Sequence, residues 1–334
     1  MIIIKCKKFF ERRKKNKMDI QIIIPCHNES KIIESTYKKL TEILKRDAIK
    51  NNYHYNLLFV DDGSTDNTLH QLINFSKIDS NITYLSFSRN FGKEAAMYAG
   101  IENSVEYDAA IIIDADLQHP PELIPKMVEN FKLGYDQVIA QRNRKGEKLI
   151  RKIPTNLYYK LLNNLVDIPI VDGIGDYRLL SNRVLKTISK MEENQRFSKG
   201  IFSWVGYKQT ILEYDNLPRQ DGESKWTFPK LLDYGIDGII SFNNKPLRLI
   251  IYLGLLVFSI SIIYLLINFI QILVMGVREP GYFTLIFSIL FLGSIQLVSI
   301  GIIGEYIGRI YYETKGRPHY IEQLNNIHKE NKDV

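Results

Sequence analysis

An α/β layer fold with a mostly parallel sheet, followed by a two-helix membrane hairpin, is what this sequence predicts. Three observations carry that expectation. Short β-rich runs alternate with helical stretches between Asp19 and Ala140, several of those runs are apolar nearly throughout, and two much longer apolar runs lie near the C-terminus.

Strands are expected over 20–25, 55–60, 82–87, 109–113 and 137–140. Strands covered on both faces are apolar without alternation, as those of a parallel sheet must be. Helices are expected between them, over 30–46, 66–76, 92–103 and 121–133. In such a layer, ligands lie beyond the carboxyl ends of the strands. At 334 residues and 45% hydrophobic, the chain has material for one sizeable core and a smaller second part.

From 249 to 275 the chain is nearly all Ile, Leu, Val, Phe and Tyr, with Asn268 and Gln271 as its strongly polar interruptions. From 282 to 303 it is apolar again, around Gln296. Both runs exceed the ~20 residues that cross a hydrocarbon core as a helix. Neither keeps the polar face of a globular surface helix. Two helices with no ionisable residue deep inside them do not make a transporter. Lys245, Arg248, Arg309, Lys315 and Arg317 flank the outer ends, whereas the link 276–281 holds one Arg278 and one Glu279. Positive flanks stay inside, so a multi-pass plasma-membrane protein with both termini and its main domain in the cytoplasm is expected. Cys6 and Cys26 form no disulfide framework, in keeping with that compartment. Segment 226–240 is either an amphipathic interface helix or the helix that packs the domain onto its anchor. The expected division is a tail over 1–18, a main domain over 19–246, a hairpin over 247–304 and a C-terminal tail over 305–334.

The formal net charge is +7, and residues 1–17 supply all of it through eight Lys and Arg against Glu11 alone. The basicity therefore belongs to the tail and says nothing of a basic face on the folded part, and no nucleic-acid partner is expected. Such a tail is solvated, or touches anionic lipid at about 1 kcal/mol per basic residue, or lies upstream of a functional start at Met18. Its apolar residues 1–4 are too few for a secretory signal.

Polar residues gather at three strand ends. These are Pro25-Cys26-His27-Asn28-Glu29, Asp61-Asp62-Gly63-Ser64-Thr65-Asp66 and Asp114-Ala115-Asp116-Leu117-Gln118. Two carboxylates one residue apart at the end of a buried strand are unfavourable unless something neutralises them. A hard divalent cation does so: Mg2+ or Mn2+ takes one or two carboxylates plus substrate phosphates. A helix cap would account for one Asp, and not for the pair with Gln118.

With these segments in place, the sequence resembles the GT-A glycosyltransferases of family 2, in particular the dolichyl-phosphate mannose synthase and bactoprenol glucosyltransferase group. The likeness runs over residues 19–321 and implies a GT-A, Rossmann-like catalytic domain. It implies that Pro25, Glu29 and Asp62 hold the nucleoside. Asp114, Asp116 and Gln118 are the implied metal and diphosphate ligands, with Ala115 on the nucleotide sugar. Gly175-Asp176-Tyr177-Arg178-Leu179 is similar to the segment beside the acceptor, which adds Asp176 and Arg178 to Asp116 as catalytic candidates. Asp176 would orient either the sugar or Arg178. Arg219-x-x-Gly222-x-Ser224-Lys225-Trp226 resembles the phosphate-gripping segment, implying Arg219, Ser224 and Lys225 on the acceptor phosphate, with Arg142. The next basic position of that pattern falls on Arg151 or Lys152. Gly304-Glu305-Tyr306-Ile307-Gly308-Arg309, followed by Arg317-Pro318, resembles the exit of the group's second membrane helix.

The resemblance implies inverting, metal-dependent transfer of one sugar, glucose or N-acetylglucosamine, from a UDP-sugar to undecaprenyl (polyprenyl) phosphate, for cell-envelope glycans. A GDP-mannose enzyme would carry much the same motifs. A homo-oligomer, specifically a tetramer, is a further implication. A processive polysaccharide synthase is disfavoured, because Gln195-Arg196-Phe197 lacks the Gln-x-x-Arg-Trp pattern and two helices cannot enclose a polymer path. A non-catalytic scaffold would have lost a metal ligand or the acceptor cations, and the sequence retains both.

Overall fold

The computed structural model describes residues 17–143, 174–194, 196–215, 245–275 and 281–327. The chain forms two compact units, one of Met1–Lys160, Ile168–Trp226 and Pro318–Val334, the other of Leu161–Asp167 and Thr227–Arg317.

The first unit is built on β1 (Met18–Cys26), α1 (Ile33–Lys50), β2 (Tyr53–Asp61), α2 (Thr68–Ile78), β3 (Ile82–Phe87), α3 (Lys93–Glu102) and β4 (Ala109–Ile112). A 3-10 turn (Pro121–Leu123) then leads into α4 (Ile124–Lys132), β5 (Gln137–Asn143), β6 (Ile174–Ser181), α5 (Asn182–Ile188), α6 (Ser198–Trp204) and β7 (Gln209–Asp215). The last strand, β8 (Glu322–Asn325), arrives after the second unit. Sheet order is β7-β5-β6-β4-β1-β2-β3-β8. β1 pairs parallel with β2 and β4, β2 with β3, and β5 with β7. β6 runs antiparallel to β4 and β5, and β8 antiparallel to β3. The parallel centre is the expected alternation; the antiparallel pairs come from β6 and β8, which lie outside it.

Ile20, Ile22, Ile23 and Ile24 are fully buried, so β1 is covered on both faces, as its unbroken apolar run requires. α3 lies tight on that strand through Gly100, where a Cβ would come 2.2 Å from Cγ2 of Ile23. Helix α1 starts later than residue 30 because the Glu29 carbonyl takes the amides of Ile32 and Ile33 in a turn. The helix expected over 121–133 opens as a 3-10 turn at its prolines, which lack the amide donor. β5 extends to Asn143 and so carries Arg142.

The second unit contains α7 (Lys245–Met275) and α8 (Tyr282–Thr314). At 1.5 Å per residue, helices of this length run to about 46–50 Å, well beyond a hydrocarbon core of about 30 Å. Their apolar windows are Tyr252–Gln271 and Phe291–Thr314, the second reaching past residue 303. Side chains such as Leu255, Ile263, Val274 and Leu297 are exposed on them, and apolar surface on that scale requires a partner other than water. The segment 226–240, the link residues 276–280 and the tail residues 1–16 lie outside the described residues, as does Gln195.

Candidate active site

The β2 end is closed from within the protein. Asp61 is fully buried and accepts hydrogen bonds from the Ser86 hydroxyl (2.7 Å) and the Ser64 amide (3.2 Å). Gly63, at φ +61°, turns the chain so closely past Arg89 that a Cβ would meet its carbonyl carbon at 2.2 Å. Asp62 accepts from the amides of Phe91 (2.6 Å) and Gly92 (2.9 Å), which ties the β2 end to the β3 end. Burial raises the Asp62 carboxyl pKa, and those two amides offset part of the rise.

The β1 end is locked against the same turn. The carbonyl of Asp62 is 2.8 Å from Nδ1 of His27, which makes Nδ1 the protonated nitrogen. Nε2 then accepts from the side-chain amides of Asn90 (3.0 Å) and Asn28 (3.2 Å). Asn28, at φ 55°, receives the Thr65 amide on its Oδ1 at 2.8 Å, and Ser64 receives the Asn28 amide at 2.9 Å. Asp66 accepts from Thr68 and Ser30; burial works against its charge, yet these bonds hold its carboxyl at about 2. Cys26 is buried and free, and burial together with Asp61 raises its thiol well above the usual range, so it is no nucleophile.

The β4 end is built from side chains instead. The Lys93 ammonium, from the first residue of α3, sits 2.7 Å from Oδ1 and 2.9 Å from Oδ2 of Asp114, and 2.8 Å from Oδ2 of Asp176 on β6. Nε2 of His119 is 3.3 Å from Asp114 Oδ2, and its Nδ1 is 2.8 Å from the Tyr214 hydroxyl on β7. Tyr177 of β6 packs on His119 with ring centroids 5.2 Å apart and donates its hydroxyl to the Pro120 carbonyl. Burial would raise the Asp114 carboxyl, but Lys93 and His119 outweigh it and hold the group well below the carboxylate range. Burial likewise opposes the Lys93 charge, and the two carboxylates overcome it and raise the ammonium above an ordinary lysine. Leu117 stands at φ 56°, a conformation costing a branched residue about 1–2 kcal/mol, in the turn that presents Asp116 and Gln118. The Gln118 amide donates to Asp116 Oδ1 at 3.1 Å, and Thr36 of α1 donates to the Ala115 carbonyl at 2.6 Å.

These strand ends surround a cavity of about 480 Å³ lined by Pro25, Glu29, Asp62, Lys93, Asp114, Ala115, Asp116 and Gln118, among others. Every residue expected at the nucleotide and metal therefore reaches one cavity. Asp176 joins them through Lys93. Arg142 stands opposite Tyr214 in the β5–β7 register. The Tyr214 phenol, raised chiefly by burial, also feels Arg142, Asp114 and Asp116. Arg178 is placed differently from Asp176: it is 2% exposed, donates to the Gly175 carbonyl at 2.7 Å and stacks 4.0 Å over Phe202, and burial lowers it to about 10. Arg151, Lys152, Arg219, Ser224 and Lys225 lie outside the described residues.

A divalent cation fits the β4 end. Asp114 Oδ1 is buried and held by the Lys93 ammonium at 2.7 Å with no directed hydrogen bond, so a metal could take that oxygen by displacing a side chain and no backbone donor. Among the described residues no three His, Cys, Asp or Glu side chains converge. A hard cation at two carboxylates would thus take its remaining oxygens from phosphate and water, as Mg2+ commonly does.

Lys93, His119 and Tyr214 were not among the candidates drawn from the sequence. Lys93 had a readable signal, since Arg89-Asn90-Phe91-Gly92-Lys93 follows a strand just as the three chosen segments do. Tyr214 had none, because β5 and β6 separate its strand from β4 in the sheet and it meets the β4 end only through His119.

Residues 21–189 match the family Glycosyl transferase family 2, and residues 245–310 match the GtrB C-terminal hairpin. The chain named "Putative glycosyltransferase CsbB" of Bacillus subtilis (strain 168) is 49% identical over 315 residues, 94% of each chain. The prophage bactoprenol glucosyl transferase homolog of Escherichia coli (strain K12) is 40% identical over 305 residues, 91% of this chain and 98% of that one. The bactoprenol glucosyl transferase of Shigella phage SfX matches to the same extent, 40% over 305 residues, with 91% and 98% covered. A cavity built by strand ends around paired carboxylates, on a chain so matched along its length, leaves one assignment: this chain belongs to glycosyl transferase family 2 and is a bactoprenol glucosyltransferase-like enzyme with a GtrB-type hairpin.

Proposed function

We propose that the enzyme transfers a single glucose from a UDP-sugar to a polyprenyl phosphate, with inversion at the anomeric carbon and with Mg2+ or Mn2+ at Asp114 and Asp116. The observation that carries this is the gathering of Asp114, Asp116 and Gln118 in the same cavity as Pro25, Glu29 and Asp62. Glucose and the lipid acceptor are supported by the relatives named bactoprenol glucosyl transferase.

The acceptor itself eases the chemistry. A phosphate monoester has its second pKa near ~6, so its oxygen is largely ionised at neutral pH without a strong base. What remains is to orient the two substrates, exclude water and stabilise the leaving diphosphate. Pro25, Glu29 and Asp62 hold the nucleoside side, and Ala115 the chain beside the diphosphate. When bound, the metal would offset charge developing on the departing nucleoside diphosphate. Asp176, engaged by the Lys93 ammonium, acts by orientation rather than as a base. Arg142, Arg219, Ser224 and Lys225 are assigned to the acceptor phosphate, where guanidinium forks suit oxyanions. Arg178, buried in β6, acts through the Gly175 carbonyl that it holds beside Asp176. The two apolar helices span the plasma membrane, with the catalytic domain on the cytoplasmic side. There they keep the site within reach of a lipid whose tail stays in the bilayer.

The test is incubation of the purified full chain with undecaprenyl phosphate and a panel of labelled sugar nucleotides. UDP-glucose, UDP-N-acetylglucosamine and GDP-mannose are compared, and labelled lipid is extracted. Label from UDP-glucose above the others is expected. Label from GDP-mannose alone would replace the donor, and no labelled lipid from any donor would remove the proposal.

A further inference from the structure

Lys93 occupies an unusual place for a lysine. It is the first residue of α3, where the positive end of the helix dipole disfavours a cation. Its neighbours explain it. The ammonium lies within 2.9 Å of both Asp114 oxygens and 2.8 Å from Asp176, so one positive charge bridges a carboxylate from β4's end and one from β6. No other cation stands as close to Asp114 among the described residues; His119 is next, at 3.3 Å.

We propose that Lys93 is a placeholder cation, which holds Asp114 to Asp176 until a divalent metal is loaded and gives up Asp114 when it is. This rests on reading Asp114 and Asp116 as metal ligands. Three features suit the exchange. The Lys93 side chain is 45% accessible in an open cavity, so its flexible stem has room to swing away. A lysine is a point charge on rotatable bonds, unlike the rigid fork of an arginine. The Asp114 Oδ1 that the ammonium approaches most closely, at 2.7 Å, is held by this side-chain ion pair and not by a backbone donor, so a doubly charged metal can take that oxygen by displacing one flexible side chain. Because the same ammonium grips Asp176, loading of the donor side alters the partner of a residue assigned to the acceptor side.

The experiment titrates Mn2+ into the detergent-solubilised full chain and follows the free-ion EPR signal, with and without UDP. Lys93→Met is compared with wild type, and Asp116→Ala marks the site. Removal of a competing like charge is expected to tighten Mn2+ binding by about tenfold in Lys93→Met. A folded Lys93→Met that binds Mn2+ no more tightly than wild type overturns the placeholder role. If that variant fails to fold, amine-reactive labelling of wild-type Lys93, read by mass spectrometry, decides the matter. Labelling should rise at Mn2+ concentrations where bound metal is seen, and unchanged labelling there overturns the proposal. If Mn2+ binds neither protein even with UDP, the metal reading falls first and this inference with it. Equal binding to both removes only the role of Lys93.

Discussion

Two aspartate pairs stand at the ends of neighbouring parts of one sheet, and they are satisfied in opposite ways. Asp61 and Asp62 receive their hydrogen bonds from the amides of Ser64, Phe91 and Gly92 and from the Ser86 hydroxyl. Asp114 faces the accessible, flexible Lys93 ammonium and the His119 imidazole, which is held by Tyr177 and Tyr214. Backbone donors cannot leave without unfolding a turn, whereas side-chain cations can. The first pair builds the site and the second exchanges partners in it.

Substitutions at the two pairs should therefore fail in different ways. Asp116→Ala is expected to abolish transfer, by about 10³-fold or more, while its thermal midpoint stays within a few degrees of wild type. Turnover near the wild-type level would make the β4 pair structural. Asp61→Ala is expected to lose about 2–4 kcal/mol of stability in denaturant melts, since it strands the buried Ser86 hydroxyl and the half-buried Ser64 amide. A melt unchanged from wild type would erase the distinction between the pairs.

Glu94, next to Lys93, sharpens the comparison through pH. It accepts from the amide and hydroxyl of Ser198, yet burial, with Asp176 adding, pushes its carboxyl up to about 7. A carboxyl raised on folding contributes stability that is full below its unfolded value near 4.5 and is lost as pH rises through 7. The loss is at most about 3 kcal/mol, and Glu94→Gln should flatten it in melts taken between pH 4.5 and 8. A slope retained in Glu94→Gln would assign it elsewhere. The smallest effect is expected at Leu117. Replacement by Gly should relieve its left-handed strain and raise stability by about 1 kcal/mol, while lowering turnover because Asp116 and Gln118 are held less firmly. Lower stability would show that the side chain outweighs the strain.

Much of this was legible beforehand where local pattern and burial agree. The five strands from β1 to β5 were readable because unbroken apolar runs such as Ile22-Ile23-Ile24 admit few alternatives. β6 was hidden because Gly175, Asp176 and Arg178 interrupt its apolar pattern, and β7 because exposed and half-buried residues merely alternate along it. β8 is short, polar and defined by pairing with β3 across more than two hundred residues. The paired carboxylates Asp114 and Asp116 were legible by their spacing at a strand end. The side chains around them were not, since Lys93, His119 and, behind His119, Tyr214 come from an α3 N-terminus, a loop and an edge strand that only the fold brings together.

The central claim is that the Asp114–Asp116 end of β4 works on a sugar nucleotide through a divalent cation, for a lipid phosphate. Its most direct test measures labelled lipid formed by the full chain from UDP-glucose and undecaprenyl phosphate in EDTA, and again after adding Mg2+ or Mn2+. Product should vanish in the chelator and return with either ion. Undiminished product in EDTA would contradict the account.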